Sequence, residues 1–372
     1  MSKTEWEKVK LGEICNSKSS NISQNKIQHL GGAYPIFGAS GYLQNVDFYK
    51  QEKPYIGIVK DGAGVGRVML LPAKSSILGT LQYIIPNDKT DINFLFYTLN
   101  KLNLAKYASG ATIPHIYFRD YSNEKVYLPS INHQRHIAVT LDKANELITL
   151  RKKQLEELDA FAEAVFYDMF GDPVKNEKGW KFKNMMEFSD VTSSKRIFAN
   201  EYISEGIPFY RSKEIAELGS NKEISIELFI SEKKYDNIKQ EFGIPTKGDI
   251  LIAAIGATIG KMWVVDNNRE FYFKDGNIIW IKNKGFIPIF LKRVLLSMIN
   301  GIKDRLTNGG AYPALTIITL KNMDIIYPPL PLQSRFATII EKIEEQKAQV
   351  RKALQESEDL FQRLMQDLFK TD

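Results

Sequence analysis

The sequence predicts an α+β protein in which two similar globular domains are each followed by a long helix. The first observation is an internal repeat, because Trp6 and Glu13 recur as Trp180 and Glu187 and later motifs recur in the same order. The second is an apolar heptad pattern that follows each copy. The third is that each globular part shows short strand patterns separated by glycine-rich turns. A duplicated unit of domain plus helix suggests two similar sites held apart by a spacer.

Two motifs within the repeat are rich in glycine. Gly62-Ala-Gly-Val-Gly-Arg67 in the first copy corresponds to Gly256-Ala-Thr-Ile-Gly-Lys261 in the second. Further along, Ser-Gly-Ala at 109–111 corresponds to Gly-Gly-Ala at 309–311. The sequence separation between corresponding motifs changes along the chain. The two copies therefore differ by insertions, although the motifs keep the same order.

The composition is that of a globular protein with room for two or three domains in its 372 residues. No apolar run is long enough to predict a membrane span, and the charged N-terminus lacks the apolar region of a secretory signal. Cys15 is the single cysteine, which excludes an internal disulfide framework and a multi-cysteine zinc site. We therefore expect a cytoplasmic protein in which Cys15 is a small core residue.

Positive charge is concentrated in the globular parts. Residues 1–130 carry 15 Lys and Arg against 10 Asp and Glu, and residues 173–331 carry 23 against 18, so each part has a net charge of +5. The helical segments 131–172 and 332–372 carry net charges of −3 and −1. Two basic domains indicate a polyanionic partner, most plausibly nucleic acid, although a solvated surface with a mild lysine excess would look the same.

The first globular domain is predicted to span residues 1–130. A strand at 54–59 leads into the Gly62–Gly66 turn, and 67–71 is the returning strand. Residues 94–104 have helical periodicity. Pro129 disfavours helix just before the next element, so the domain ends there.

The first long helix is predicted over residues 131–172. Apolar residues recur every seven positions with a second set three residues later, which is the a/d pattern of a coiled coil. Gly171 and Pro173 form a helix stop. The predicted seam includes Leu141, Ile148, Leu155, Leu158 and Val165.

The second globular domain is predicted over 173–331 and the second long helix over 332–372. A strand at 248–252 enters the second glycine-rich turn, a helical stretch covers 290–300, and a proline-rich segment ends the domain. The second seam includes Ile343, Val350, Leu354, Phe361 and Leu364. We expect the two helices to pair antiparallel as a pseudo-two-fold coiled coil. The alternative is that each helix packs onto its own domain.

Catalytic patterns are largely missing. The chain has no phosphate-binding GxxxxGK[ST] loop and no HExxH, and its four histidines form no metal set. Tyr327-Pro-Pro-Leu330 lacks the Asn or Asp and the aromatic residue of the tetrapeptide found in amino-methyltransferases, and no convincing nuclease constellation is present. We therefore predict no catalytic residue, no metal site and no cofactor in this chain.

Patterns typical of DNA binding are clearer. Glycine-rich turns let the backbone approach phosphate closely, and neighbouring Arg or Lys side chains can reach phosphates or base edges. Each such turn could also merely close a hairpin. The predicted DNA contacts lie in or beside the two turns, the two later Gly-Ala loops and the segment after Phe209: Lys60, Arg67, Thr112, His115, Arg211, Lys213, Thr258, Lys261 and Tyr312.

Taken in order, these segments resemble the specificity subunit of Type I restriction–modification systems. Leu11-Gly-Glu-Ile14 is similar to the family's opening, and Gly248-Asp-Ile-Leu-Ile-Ala-Ala-Ile-Gly-Ala-Thr-Ile-Gly-Lys261 is similar to its target-recognition core. Ser109–Phe118 and Tyr327–Gln333 resemble the segments that lead into its conserved helices. Asn184-Met-Met-Glu-Phe188 departs from the opening pattern in the second copy. The resemblance covers essentially the whole chain.

The resemblance implies a non-catalytic subunit that binds double-stranded DNA. Each recognition domain would read one half of a split sequence, and the antiparallel helices would set the unread gap. The helices would also dock two modification subunits, which carry S-adenosylmethionine and methylate adenine. Restriction subunits, which use ATP and Mg²⁺, would join that core.

Three other functions are compatible with the residues alone. The chain could be a stand-alone DNA-binding protein, a tandem-domain interaction scaffold without a DNA role, or a nuclease or methyltransferase with divergent motifs. Salt-insensitive binding would favour the scaffold, because phosphate contacts make DNA affinity fall steeply with salt. DNA cleavage or modification by the purified chain would favour the enzyme.

Overall fold

The structure is a computed structural model, and it describes residues 6–110, 112–266, 269–308 and 314–369. The chain divides into two compact units. The first combines Met1–Gln154 with Val350–Asp372, and the second is Leu155–Gln349. None of the described helices is long and apolar enough to cross a membrane.

The first unit contains three small sheets. A four-stranded antiparallel sheet has the order β2-β8-β5-β6, a three-stranded sheet has the order β4-β3-β7, and β1 pairs with β9. The strands are β1 (Glu7–Lys10), β2 (Cys15–Ser19), β3 (Tyr34–Gly38), β4 (Gly41–Val46), β5 (Tyr55–Val59), β6 (Val68–Leu71), β7 (Ser76–Ile77), β8 (Leu81–Pro86) and β9 (Lys125–Leu128). The short helices are α1 (Gln24–Ile27), α2 (Ile92–Lys101) and α3 (Phe118–Tyr121).

The second unit repeats this arrangement. Its sheets have the orders β11-β17-β14-β15, β13-β12-β16 and β10-β18. The strands are β10 (Phe182–Asn184), β11 (Ser189–Thr192), β12 (Ile207–Tyr210), β13 (Phe229–Ile230), β14 (Ile250–Ala253), β15 (Met262–Val264), β16 (Tyr272–Phe273), β17 (Ile278–Asn283) and β18 (Asp324–Ile326). The shorter helices are α5 (Ser212–Gly219), α6 (Glu232–Glu241), α7 (Pro288–Asn308) and α8 (Ile317–Lys321).

Two details show that the sequence repeat is a structural repeat. Ile36 on β3 pairs in parallel with Ser76 on β7, and Phe209 on β12 pairs in parallel with Tyr272 on β16. These are the only parallel pairings among the described strands, and they occur at equivalent places. The predicted α+β class with two similar domains is therefore confirmed.

The two long helices are α4 (Ile131–Phe170) and α9 (Leu330–Asp367). α4 ends where Gly171 adopts the left-handed conformation (φ +73°), as the predicted stop requires. α9 begins two residues before its predicted start because Pro331, which lacks a backbone N–H, is tolerated in a first helical turn. α7 is longer than the predicted 290–300 and also has a proline, Pro288, in its first turn.

Both units contain a segment of each long helix, and in both the segments run antiparallel. In the second unit Asp159 on α4 pairs with Lys347 on α9 at 2.6 Å. Further along α4, the Phe166 ring contacts the ring of Phe336, which lies earlier on α9, with 5.6 Å between centroids. As the residue numbers rise on α4, those of their partners on α9 fall, so the predicted antiparallel pairing is confirmed.

The first unit shows the same direction of pairing. Lys152 on α4 lies 3.1 Å from Glu358 on α9. Leu141, earlier on α4, shares a buried core with Phe369, which follows the end of α9. Each long helix therefore packs partly in one unit and partly in the other, rather than onto its own domain alone.

The residues predicted for the seam are all at least partly shielded, and other residues of these helices, such as Phe166 and Phe336, are buried as well. Four of the predicted residues are buried, namely Leu141, Ile148, Ile343 and Val350, and six are partly exposed, namely Leu155, Leu158, Val165, Leu354, Phe361 and Leu364. Their burial pattern follows the heptad period.

A buried glutamine joins the first turn of each long helix to the domain beside it. The Oε1 atom of Gln134 accepts a hydrogen bond from the backbone N–H of Asp91 at 2.8 Å. The Oε1 atom of Gln333 accepts one from Ile287 at 3.1 Å. Each Nε2 donates to the carbonyl oxygen five residues earlier, at 2.8 Å in both copies. Because all of these groups are satisfied within the fold, each glutamine fixes the angle at which its helix leaves the domain.

Candidate nucleic-acid interface

The Gly62–Gly66 turn joins β5 to β6 in the first unit. It is closed by hydrogen bonds from the Val59 N–H to the Arg67 carbonyl (3.0 Å) and from the Gly66 N–H to the Val59 carbonyl (2.8 Å). Gly62 and Gly66 have φ angles of +83° and +86°, which residues with a Cβ rarely adopt. A Cβ at Gly66 would lie 2.5 Å from the backbone nitrogen of Ala105. Glycine is therefore needed at Gly66 both for the turn and for close packing.

The second unit builds the same turn from different residues. The Ala253 N–H donates to the Lys261 carbonyl at 2.8 Å, and the Gly260 N–H donates to the Ala253 carbonyl at 2.9 Å. Thr258 ends a short 3₁₀ helix, Gly256–Thr258, at the tip of this turn. Arg67 and Lys261 therefore occupy equivalent positions, each at the end of the turn.

The structure brings the two predicted loops of the first domain together. The Gly62 N–H donates to the carbonyl of Pro114 at 2.8 Å, and the Ile116 N–H donates to the carbonyl of Lys60 at 2.9 Å. In the second domain the Leu315 N–H donates to the carbonyl of Ala254 at 2.8 Å, which is the equivalent bond. The later loop therefore lies against the glycine-rich turn in the first copy. In the second copy the residues that follow the loop, Ala314 and Leu315, lie beside the equivalent turn.

The predicted contacts of the first domain differ in how accessible they are. Arg67 and Thr112 are exposed, and the Arg67 guanidinium donates to the carbonyl of Ala39 at 2.9 Å. Lys60 is half-buried, with its ammonium group 2.8 Å from the carboxylate of Asp61. Arg67 and Thr112 are therefore better placed than Lys60 to contact a ligand in solution.

His115 is held inside the loop. Its Nε2 atom lies 3.2 Å from Ser109 Oγ, and its Nδ1 atom lies 3.4 Å from the carbonyl oxygen of Ile113. With partners at both ring nitrogens and a half-buried ring, His115 shapes the loop as much as it presents a donor.

Tyr117 and Arg119 lie beside His115 but are not among the predicted contacts. The rings of His115 and Tyr117 are 5.2 Å apart in an edge arrangement, and the Arg119 guanidinium carbon lies 4.8 Å over the Tyr117 ring. Both side chains are exposed. The spacing of His115 and Tyr117 could have indicated Tyr117, since alternate residues of an extended segment share one face. Arg119 lies in α3 and reaches the Tyr117 ring from that helix.

In the second domain, Arg211 forms ion pairs with two carboxylates. Its guanidinium lies 2.7 Å from the buried Glu214 and 2.8 Å from Glu227. The hydrogen bond to Glu214, followed by that to Glu227, raises the pKa of Arg211. Its charge is thus matched within the fold, so Arg211 positions the start of α5 rather than offering an unpaired charge.

The other predicted contacts of the second domain are more accessible. Lys213, on α5, lies 3.6 Å from Glu227, and its side chain is 55% exposed. Lys261 is exposed and Thr258 is partly exposed, and α5 contacts the 3₁₀ helix that ends at Thr258. Lys213, Thr258 and Lys261 therefore belong to one region, whereas Tyr312 lies outside the described residues.

In the described part of the chain, these loops are accompanied neither by a metal-binding cluster nor by a reactive cysteine. No cluster of three or more His, Cys, Asp or Glu side chains there could hold a metal ion. Cys15 is buried at the start of β2, and burial raises the pKa of its thiol to about 12. The thiol is therefore protonated at neutral pH, and thiolate is the reactive form.

Comparison with known proteins decides the family. A family model described as the Type I restriction modification DNA specificity domain matches residues 3–160 and 177–357, once for each copy of the repeat. The chain belongs to this family. It is therefore a DNA specificity subunit, and members of this family are non-catalytic and carry no cofactor. The resemblance expected from the sequence is confirmed, and the divergent-enzyme alternative is wrong.

Individual specificity subunits match along nearly the whole chain. The chain is 26% identical to a type I restriction enzyme specificity subunit of Haemophilus influenzae, covering 92% of this chain and 88% of that one. It is 24% identical to the MjaVIII specificity subunit of Methanocaldococcus jannaschii, covering 94% and 90%. The crystal structure of a Type I S subunit from M. genitalium has the same fold, with a TM-score of 0.65, 18% identity and coverage of 99% and 97%.

Proposed function

We propose that this specificity subunit reads a bipartite double-stranded DNA target, one half with domain 1–130 and the other with domain 173–331. The observation that carries the proposal is the repeated surface: each domain presents a glycine-rich turn with a cation at the same final position, Arg67 or Lys261. In each domain a later segment, at Ile116 or Leu315, hydrogen-bonds to the backbone beside that turn. Two such surfaces in one chain match a target with two half-sites.

The accessible basic and polar residues suit this role. Arg67, Lys213 and Lys261 would neutralise phosphates or donate to base edges in the major groove, and Thr112 and Thr258 would add hydroxyl donors. Each domain's charge of +5 adds a sequence-independent attraction that weakens as salt rises. Lys60, His115 and Arg211 would support the loops that carry these contacts.

We further propose that the helices 131–172 and 332–372 set the gap between the half-sites and dock two modification subunits. In the first unit α4 exposes the apolar side chains of Val139, Leu147 and Leu150, between 44% and 53% exposed. Apolar side chains at these spacings on a helix form a surface suited to another helix. S-adenosylmethionine would belong to the modification subunits, and ATP and Mg²⁺ to restriction subunits that join the complex in the cytoplasm.

The test is to map adenine methylation by sequencing DNA from cells that express the candidate modification subunit with and without this chain. We expect a new split motif, with both halves methylated only when this chain is present. The double variant Arg67→Ala and Lys261→Ala, expressed at the wild-type level, is the control for dependence on the proposed surfaces. A motif that is unsplit, or that appears without this chain, would contradict the proposal.

A further inference from the structure

The first unit contains an open cavity that is not part of the DNA-reading loops. Its volume is about 510 Å³, enough for a large side chain, and it lies where α2 meets α4 and α9. Its apolar wall consists of Phe96, Tyr97, Phe361 and Met365, and Asn100 and Lys101 also line it. The amides of Asn145, Gln362 and Gln366 line its rim, and within the described residues they make no side-chain hydrogen bond.

The internal repeat identifies the same place in the second unit. Two anchors fix the correspondence: Gln134 and Gln333 bind equivalent backbone groups, and the stacked pair Phe94–Phe369 (5.4 Å) corresponds to the pair Phe290–Phe170 (4.7 Å). Counting along the helices from these anchors gives the equivalents of the cavity's residues. Tyr97 corresponds to Arg293, Gln362 to Glu163, Met365 to Phe166 and Gln366 to Tyr167.

In the second unit this place is filled by an arginine. The guanidinium carbon of Arg293 lies 5.6 Å over the ring of Phe166 and 5.9 Å from that of Tyr167. One guanidinium nitrogen lies 2.5 Å from the carboxylate of Glu163. The second copy therefore shows which chemical group this position between the helices accommodates: a planar cation against aromatic rings with an oxygen acceptor at its edge.

In the first unit Tyr97, the equivalent of Arg293, does not take that role. The Tyr97 hydroxyl donates to the carboxylate of Asp142 at 2.6 Å, so the ring is held towards α4. Lys101 lies over the ring of Phe369, 5.4 Å from its centroid. The space that Arg293 fills in the second copy is therefore left open in the first, between aromatic side chains, a thioether and side-chain amides.

We propose that this cavity receives an arginine side chain from a modification subunit docked on the paired helices, an inference that rests on the proposed function. The aromatic rings of Phe96 and Phe361 offer faces to a guanidinium. The amide oxygens of Gln362 and Gln366 accept its hydrogen bonds. The net charge of −3 on segment 131–172 favours a cationic partner. In the second copy Arg293 occupies the site in cis, so the two docking sites differ.

The experiment fills the cavity with the residues that occupy the equivalent place in the second unit. The double variant Tyr97→Arg and Gln362→Glu recreates the Arg293–Glu163 pair in the first unit. Met365→Phe, which restores the ring found at Phe166, narrows the cavity by a separate route. The matched control makes the same two kinds of substitution at exposed positions, Tyr42→Arg and Gln28→Glu. Native mass spectrometry of the full complex counts modification subunits per chain, and a titration gives the dissociation constant of each site.

We expect wild type and control to hold two modification subunits, and both filled variants to bind one of them at least about tenfold more weakly. Unchanged affinity at both sites in the two filled variants would overturn the cavity proposal and leave the proposed function standing. Equal weakening at both sites would also overturn it, because the cavity lies in one copy. A wild-type chain that recruits no modification subunit would overturn the proposed function and this inference with it.

Discussion

At the scale of single residues, the equivalence of Arg67 and Lys261 is the main result for function. Both follow a turn whose conformation requires glycine, so both basic side chains leave the backbone at the same place in their domains. The sequence predicts this correspondence because the spacing Gly-x-x-x-Gly-basic is the same in both copies. Which base each contacts depends on the docked geometry of DNA, which spacing does not determine.

Removing either cation should weaken one half-site selectively. We expect Arg67→Ala to reduce affinity for the first half-site and Lys261→Ala for the second, each lowering the slope of log K against log salt by about 1. Titration of the modification complex with duplexes that alter one half at a time measures both effects. Lys352→Ala, an exposed position on α9, is the control for charge. If either variant bound DNA as wild type does at near-physiological salt, that residue would be removed from the proposed interface.

The glycines of the first turn allow a matched comparison. Gly62 and Gly66 have nearly the same φ, but a Cβ would meet nothing within 4 Å at Gly62 and the backbone of Ala105 at Gly66. Gly62→Ala should cost about 1 kcal/mol from the left-handed conformation alone. Gly66→Ala should cost about 2 kcal/mol more because backbone must move. Urea unfolding measures both, and equal losses would show that the turn does not pack against Ala105 as described.

Arg211 shows where residue-level prediction from sequence is limited. Its ion pair with Glu214 lies three residues along the same helix start and is visible as a local pattern. Its second partner, Glu227, is brought close only by the fold. From the sequence, a basic residue next to aromatic residues therefore resembled a DNA contact. In the folded chain its charge is neutralised by carboxylates of the same domain.

At the scale of elements, the long helices are well predicted because their apolar residues repeat with a fixed period. The bounds of α4 and α9 lie within a few residues of the expected ones. The length of α7 was underestimated, since its second half has weaker apolar periodicity. The pairing of Lys347 with Asp159 could not be predicted, because the sequence around a lysine at a seam position does not indicate which helix supplies the carboxylate that pairs with it.

Mid-seam residues should be essential to the pairing of α4 and α9. Leu155 and Leu158 are the shielded residues of their turn, so replacing both by Asp should cost several kcal/mol by placing carboxylates against apolar side chains. The control Gln154→Asp with Ala160→Asp introduces the same groups on the exposed side of the helix. Thermal unfolding compares the two. Equal stability of both double variants would contradict a seam at these positions.

Lys347 should contribute more to register than to stability. It is buried between Asp159 and Glu344, whose carboxylates lie 2.6 Å and 2.7 Å from its ammonium group. Since both carboxylates remain partly exposed, Lys347→Met should change the free energy of unfolding by less than about 1.5 kcal/mol. Lys347→Glu would place a third carboxylate there and should cost about 3 kcal/mol or more. Denaturant titration measures the free energy of unfolding of both variants. A larger loss of stability for Lys347→Met than for Lys347→Glu would refute the prediction.

At the scale of the whole molecule, the order of domains along the chain differs from the compact units of the fold. The sequence divides the chain into domain, helix, domain and helix, whereas each compact unit takes one domain and a segment of both helices. Periodicity reveals that the helices pair, but not where one unit ends along them. That division depends on contacts between residues up to 268 positions apart, such as Lys101 with Phe369.

The unit boundaries provide the last prediction, because they cut both long helices, after Gln154 in α4 and after Gln349 in α9. Inserting one apolar heptad at both points should preserve the seam, since seven residues are two periods of 3.5. Each helix would lengthen by about 10 Å at 1.5 Å per residue, which is about three base pairs of DNA at 3.4 Å each. We expect the methylated motif to keep both half-site sequences while its gap grows by that amount. Insertion into one helix alone is the control, and it should reduce stability because the seams no longer match. An unchanged gap in a stable double-insertion variant would mean that the paired helices do not set the spacing.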